Sequence, residues 1–180
     1  ANIESSKELI YPLKKYQDWV NSEYNGDMHF LEKNLKIRKN PQKLLEGAKR
    51  AIMVSMNYLP NGTPEDWREK EIKRLADPNN ATISIYARGR DYHKVLKNRL
   101  KALAKSISEV IGDFGYRACV DSAPLFEIEL AQLAGLGWRG KNTLLLNKES
   151  GSMFFLGALL MDCKLVSMAD KKKNHCGSCT

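Results

Sequence analysis

The sequence has few cysteines, no long hydrophobic run and no repeated segment. Four cysteines occur among 180 residues. Only Cys176 and Cys179 stand close together, so no disulfide framework is expected. No secretory signal precedes them, because Ala1 to Ile10 is polar and mixed in charge, and a reducing cytoplasm is the expected compartment. The longest apolar stretch, Met153 to Met161, falls far short of the ~20 residues that cross a bilayer, so a soluble protein without membrane contact is expected. Low-complexity tracts are missing as well, and 43% hydrophobic residues with three tryptophans argue against disorder. The length suits one domain with a core of its own.

What is present in quantity is positive charge. Lysine and arginine total 29 against 21 acidic residues, a net charge of +8. Such a surface suits a polyanion such as nucleic acid, and it is equally an ordinary basic surface. Part of it is patterned. Asp91 to Ile111 reads as an amphipathic helix stopped by Gly112, with Tyr92, Val95, Leu96, Leu100, Leu103, Ile107, Val110 and Ile111 as its apolar face. Its other face carries Arg90, Lys94, Lys97, Lys101 and Lys105. Like charges at this spacing cost helix stability, so a phosphate-bearing partner stands beside the plain solvated face as an explanation.

Periodicity places the remaining elements. A helix is expected over Lys7 to Tyr24, ended by Asn25-Gly26, and a short one over Met28 to Leu35 with Asp27 as its cap. Pro41 opens a further turn. Arg50 to Leu59 reads as a buried strand, and Pro60 to Asn80 as a surface excursion with a helix at Glu65 to Ala76. A strand at Tyr116 to Val120, a helix at Leu125 to Ala134, and strands at Thr143 to Leu146 and Met153 to Leu160 follow. That order predicts a layered α/β or α+β domain, a mixed sheet flanked by helices.

Three segments carry candidate chemistry. Asp121 closes a strand at the turn Ser122-Ala123-Pro124. It is either a cap or Asx turn or a carboxylate facing a crevice at a strand's carboxyl end. Gly135, Gly137 and Gly140 spell G-x-G-x-x-G, yet a helix precedes them and a strand follows, the reverse of a dinucleotide site. They end the helix and let the chain approach packed backbone or a flat ligand. Trp138, Lys141, Asn142 and Thr143 around that bend either serve the turn or bind an anionic or amide-bearing ligand edge. Near the other helix, Arg88 is the better candidate for a phosphate or amide. His93 finds no metal partner in His29 or His175 and reads as a surface or hydrogen-bonding histidine.

Cys176-Gly-Ser-Cys179 lacks the βαβ setting of a redox pair and the second pair of a zinc site. It matches the first half of a ferredoxin-type cluster run. Cys119 and Cys163 read as buried thiols acting as small hydrophobes.

YARGRDYH at Tyr86 to His93, VDSAP at Val120 to Pro124, AGLGWRGKNT at Ala134 to Thr143 and GSMFFLG at Gly151 to Gly157 together resemble the epoxyqueuosine reductases. The resemblance runs from about Gly26 to Cys179, with the motifs in the same order. It implies a nitroreductase-like cobalamin-binding domain over residues 1–165 and, over 166–180, a linker and the start of a ferredoxin-like domain. The implied reaction is reduction of epoxyqueuosine to queuosine in a tRNA anticodon, using reduced cobalamin and [4Fe-4S] clusters. The implied partners are that tRNA and an external electron donor such as flavodoxin or ferredoxin, for a monomer. Opening an epoxide leaves an alkoxide that needs a proton, and Asp121 is the expected acid, raised by burial beside the corrin. Tyr86, Arg88, Asp121, Trp138, Lys141, Asn142, Thr143, Leu145, Ser152, Phe155 and Leu156 are the implied cofactor contacts. Cys176 and Cys179 are the implied cluster ligands, completed by sequence further on. A cobalamin-binding or cobalamin-handling domain without catalysis, and a basic tRNA-binding adaptor, are the alternatives.

Overall fold

The apolar run Phe154–Met161 forms the central strand, and the other elements are placed by what they cover. The computed structural model describes residues 1–3, 9–59, 62–166 and 173–178. In chain order its main elements are α1 (Ile10–Asn21), α2 (His29–Lys33), α3 (Leu35–Lys39), β1 (Arg50–Asn57), α4 (Trp67–Ala76), α5 (Tyr92–Ile111), β2 (Tyr116–Cys119), α6 (Glu127–Leu133), β3 (Trp138–Arg139), β4 (Leu145–Leu146) and β5 (Phe154–Met161).

The main sheet has the order β1-β5-β2, and β5 is antiparallel to both neighbours. The expected mixed sheet is therefore corrected: no described strand has a parallel neighbour. The strand–helix–strand order does form a crossover, since β1 and β2 run in the same direction. It leaves a slot between them, which the last strand fills from the opposite direction. Sequence order alone does not reveal that insertion.

Side chains alternate between the two faces of the sheet. Ala51, Met53, Cys119, Phe154, Ala158 and Leu160 face α6, where Leu130 and Ala131 are buried. Ile52, Val54, Ala118, Phe155, Leu159 and Met161 face α5, through Leu96, Leu100 and Ala104. The helix lies almost on the strand backbone at Gly157. A Cβ there would stand 3.1 Å from Leu96 and 3.2 Å from Leu100.

Helix α5 is capped by Asp91, whose carboxylate accepts the His93 backbone N–H at 3.0 Å, and Gly112 ends it. Its apolar face is shorter than its periodicity suggests. Val110 is 82% exposed and Ile111 is exposed too, because the last turn runs past the sheet that the earlier turns cover.

Other expectations shift in detail. Helix α1 ends at Asn21 rather than Tyr24, and its expected start at Lys7 lies outside the described residues. The single helix expected over Met28 to Leu35 is two short ones, split at Asn34. Asp27 does not cap by its side chain; its main-chain carbonyl takes the His29 N–H instead. The strand expected over Thr143 to Leu146 is only Leu145–Leu146, paired with Trp138–Arg139. Gly137 is where that hairpin needs glycine, since a Cβ would overlap the Leu146 carbonyl oxygen. The glycine bend thus approaches packed backbone. Cys119 is buried and Cys163 half-buried, both free thiols. Among the described residues no helix is long and apolar enough to cross a membrane.

Candidate active site

One end of the sheet gathers the carboxyl ends of β1 and β2, the start of β5 and the first turn of α5. Asp121 stands there, two residues beyond β2, with φ +47°. A left-handed aspartate is uncommon and is stable only when its surroundings fix it. Here they do. The Tyr92 hydroxyl donates to Asp121 Oδ2 at 2.6 Å, and His93 Nε2 lies 3.1 Å from the same oxygen. The other ring nitrogen, Nδ1, is 2.9 Å from Asp91 Oδ1. Tyr92 is itself held flat between rings, stacked on Phe155 with centroids 3.9 Å apart and on the His93 ring at 4.0 Å.

With a carboxylate oxygen against each nitrogen, the imidazole ring is best satisfied when both nitrogens carry protons. Burial works against that charge, but the bonds to Asp91 and Asp121 outweigh it and raise the His93 pKa above its ordinary value. The Tyr92 hydroxyl is pushed the same way, first by burial and then by its bond to Asp121, so it stays a donor. Asp121 itself is not a cap. Its side chain is 61% exposed.

A second carboxyl group lies behind the turn. Glu127 is the first residue of α6. Burial, then the Asp121 charge, push its pKa up to about 7, with the charge of Arg38 acting the other way. Its Oε1 is buried without a partner. Arg38 is anchored nearby by a 2.7 Å bond to the Leu125 carbonyl.

Two clefts flank this end of the molecule. One, of about 700 Å³, runs between α5 and β2 and is lined by His93, Lys94, Lys97, Lys101, Arg117 and Ser122, among others. The other, of about 460 Å³, is lined by Ser55, Gly135, Gly137, Trp138, Asn147 and His175, among others. Trp138 is buried and its Nε1 has no partner. The His175 ring packs edge-on against it at 5.0 Å.

The residues singled out in the sequence are therefore not one cluster. Asp121 and Phe155 meet through Tyr92. Tyr86 is exposed. Arg88 is committed elsewhere, with both terminal nitrogens on Glu71 at 2.9 and 2.5 Å and Nε on the Ile83 carbonyl. Trp138 and Leu145 belong to the hairpin, Trp138 beside the smaller cleft. Leu156 packs with the α6 face while Phe155 packs with the α5 face, so the two present opposite sides of β5. Lys141 is exposed, Asn142 accepts the Leu144 N–H, and Ser152 is half-buried. Thr143 is strained at φ +69°. Cys176 is half-buried next to His175 in the segment 173–178 that ends the described residues, and Cys179 lies outside them. Among the described residues no three metal-binding side chains cluster. Sequence reasoning read His93 as a surface or hydrogen-bonding histidine, as it is, but missed its partner Asp121 and the places of Tyr92 and Glu127. Their common signal was weak: polar groups at the first turn of a helix, read one at a time.

Residues 38–122 match the family model described as Epoxyqueuosine reductase QueG, DUF1730. The chain is a homologue of the epoxyqueuosine reductases. The epoxyqueuosine reductase of Burkholderia pseudomallei strain K96243 is 46% identical over 180 residues, covering 90% of this chain and 44% of the relative. The chain thus spans less than half the length of that relative. The structure of epoxyqueuosine reductase from Streptococcus thermophilus is similar at a TM-score of 0.76 and 29% identity, covering 99% of this chain and 45% of that one. A crystal structure of an epoxyqueuosine reductase with an epoxyqueuosine-modified tRNA-Tyr stem loop shares the fold, with a TM-score of 0.63 and 21% identity over 96% of this chain and 49% of that one.

Proposed function

We propose that this chain is the cobalamin-binding, catalytic part of an epoxyqueuosine reductase, acting on tRNA, with a nitroreductase-like domain at residues 1–165. In this reading residues 166–180 are a linker and the start of a ferredoxin-like domain, to which Cys176 and Cys179 contribute cluster ligands. An external electron donor such as flavodoxin or ferredoxin completes the system, which works as a monomer in the cytoplasm. The observation that carries the reading is the chain Asp91–His93–Asp121, with Tyr92 on the same Asp121 oxygen.

The cofactor is tested by what the smaller cleft offers. An unpaired, buried Trp138 Nε1 beside a glycine-rich bend suits the amide and phosphate edges of a corrinoid. At about 460 Å³ the cleft holds an edge of such a group rather than the whole. Trp138, the bend at Lys141 to Thr143 with Leu145 behind it, and the main chain from Ser152 to Leu156 are the residues that would hold it. When bound, reduced cobalamin supplies the electrons for removing the epoxide oxygen.

The protein's own residues handle the proton. His93 stores it as an imidazolium fixed by Asp91, within hydrogen-bond reach of Asp121. Asp121, relieved of water when a ligand covers it, takes that proton and passes it to the oxygen leaving the epoxide carbon. Tyr92 holds the Asp121 carboxyl group in place throughout. The larger cleft, with Lys94, Lys97, Lys101 and Arg117, lies beside this end and suits backbone phosphates of the tRNA.

The test is retention of cobalamin. Equilibrium dialysis of the complete protein with cobalamin should show binding and a shifted corrin spectrum, and Trp138→Phe, which keeps an aromatic ring, though a smaller one, and loses the N–H, should weaken it. A folded protein that retains no cobalamin overturns the reading.

A further inference from the structure

The segment Asp121 to Phe126, between β2 and α6, is neither helix nor strand, and no side chain caps the helix that follows it. Within it, the Leu125 N–H meets the Ala123 carbonyl at 2.7 Å, and the Ser122 hydroxyl reaches back to the Val120 carbonyl at 3.3 Å. Asp121, at its start, keeps a left-handed backbone at φ +47°, which neighbours must over-determine. At the other end of the segment stands Arg38, from α3. Its Nη1 donates to the Leu125 carbonyl at 2.7 Å. Its guanidinium carbon lies 5.1 Å from the centre of the Tyr16 ring and 5.9 Å from that of Phe126, and those two rings meet edge to face at 5.8 Å. Tyr16 is fixed in turn, its hydroxyl donating to the Leu31 carbonyl at 3.0 Å. Arg38 Nε is buried without a partner. A guanidinium desolvated to that extent is costly as mere filling. It lines neither of the two clefts, so it is not placed to hold a ligand there. What it offers is a charge-assisted bond to the turn, stiffened by two rings.

We propose that Arg38 is a positioning residue of this site, a clamp from the helices α1–α3 that fixes the Leu125 end of the turn so that Asp121, at its other end, reaches Tyr92 and His93. This role rests on the reading of Asp121 as the proton donor. The turn is held from two separate elements, its Asp121 carboxylate by α5 and its Leu125 carbonyl by α3. Pro124 with its fixed φ and the buried Leu125 leave the short segment little slack, so a clamp at one end is felt at the other. Without Arg38 the turn keeps only the tether on the Asp121 side chain, and that carboxylate spends less time against His93.

The ring of His93 reports the contact, because burial lowers its pKa and the bonds to Asp91 and Asp121 more than restore it. Arg38→Met keeps the length of the side chain and removes the donor. The expected result, by NMR titration of the complete protein, is a lower His93 midpoint than in the wild type. The sign is diagnostic, since removing a nearby cation would by itself raise the midpoint. Arg38→Lys keeps a charged donor but not the flat face that lies against the two rings, so its midpoint should fall between the other two. In an Asp121→Asn background Arg38→Met should cause no further fall, as expected of a residue that acts through Asp121. Single-turnover rates on epoxyqueuosine-bearing tRNA should drop about ten- to a hundred-fold in Arg38→Met, the order of a misplaced donor, with tRNA affinity unchanged. A His93 midpoint that is unchanged or raised in folded Arg38→Met overturns the proposal, and so does a fall of equal size in the Asp121→Asn background. If Arg38→Met does not fold, Arg38→Lys decides, and a midpoint at or above the wild-type value overturns it. If the protein does not turn over this substrate at all, the reaction reading fails, and the His93 midpoints alone decide the role of Arg38.

Discussion

His93 is the residue whose state decides what the site can do. Its ring lies between Asp91 and Asp121, and those bonds raise its pKa against the opposing effect of burial. The sign follows from that direction. The charged ring's contribution to stability is fully present below the ordinary histidine value of 6.5 and is lost as pH rises through the higher folded value. Because the ring is substantially exposed, the stability effect is small, and the titration itself is the better measurement. An NMR titration of the His93 ring should give a midpoint above 6.5. Asp121→Asn should lower it, since one of the two carboxylates is gone. A midpoint at or below the ordinary value, or one unmoved by Asp121→Asn, would contradict the proton-store role.

Among the elements, α5 and β5 set the geometry of the site, and their contact is closest at Gly157. Adding a methyl group there, in Gly157→Ala, forces Leu96 and Leu100 to give way. Overpacking of this kind costs about 1–3 kcal/mol, so the urea midpoint should drop. An unchanged or higher midpoint would show that the helix does not rest on the strand backbone. These two elements were legible in the sequence, because an apolar stripe at helical spacing and an unbroken apolar run are local signals. Asp121 was legible too, as a carboxylate at a strand's end. Their arrangement was not. Nothing local says that β5 enters between β1 and β2, or that Val110 lies beyond the sheet that would have covered it. The partner of His93 was hidden for the same reason, since Asp121 is 28 residues away in the chain. Glu127 gave no signal either, because its raised pKa comes from burial and from a neighbour that only the fold supplies.

At the scale of the whole molecule, the acid cluster at one end of the sheet adjoins one of two clefts of different character. The basic cleft offers lysines and an arginine, consistent with the net charge of +8 and with a polyanionic substrate. The smaller one offers an unpaired indole N–H and a strained, glycine-rich bend. In the proposed reading, a tRNA substrate lies along the first cleft and a cofactor edge in the second, with Asp121 as the proton donor. That arrangement makes one residue the point where the account stands or fails. Asp121→Asn keeps the size of the side chain and tolerates the left-handed backbone, but it removes the group that can carry the proton. In the complete protein, folded and loaded with cobalamin, single-turnover reduction of epoxyqueuosine-bearing tRNA should fall roughly 10²–10⁴-fold, the usual worth of a positioned acid. Melting temperature and corrin spectrum should stay near those of the wild type. Near-normal turnover in that variant would contradict the account and leave Asp121 a structural turn residue.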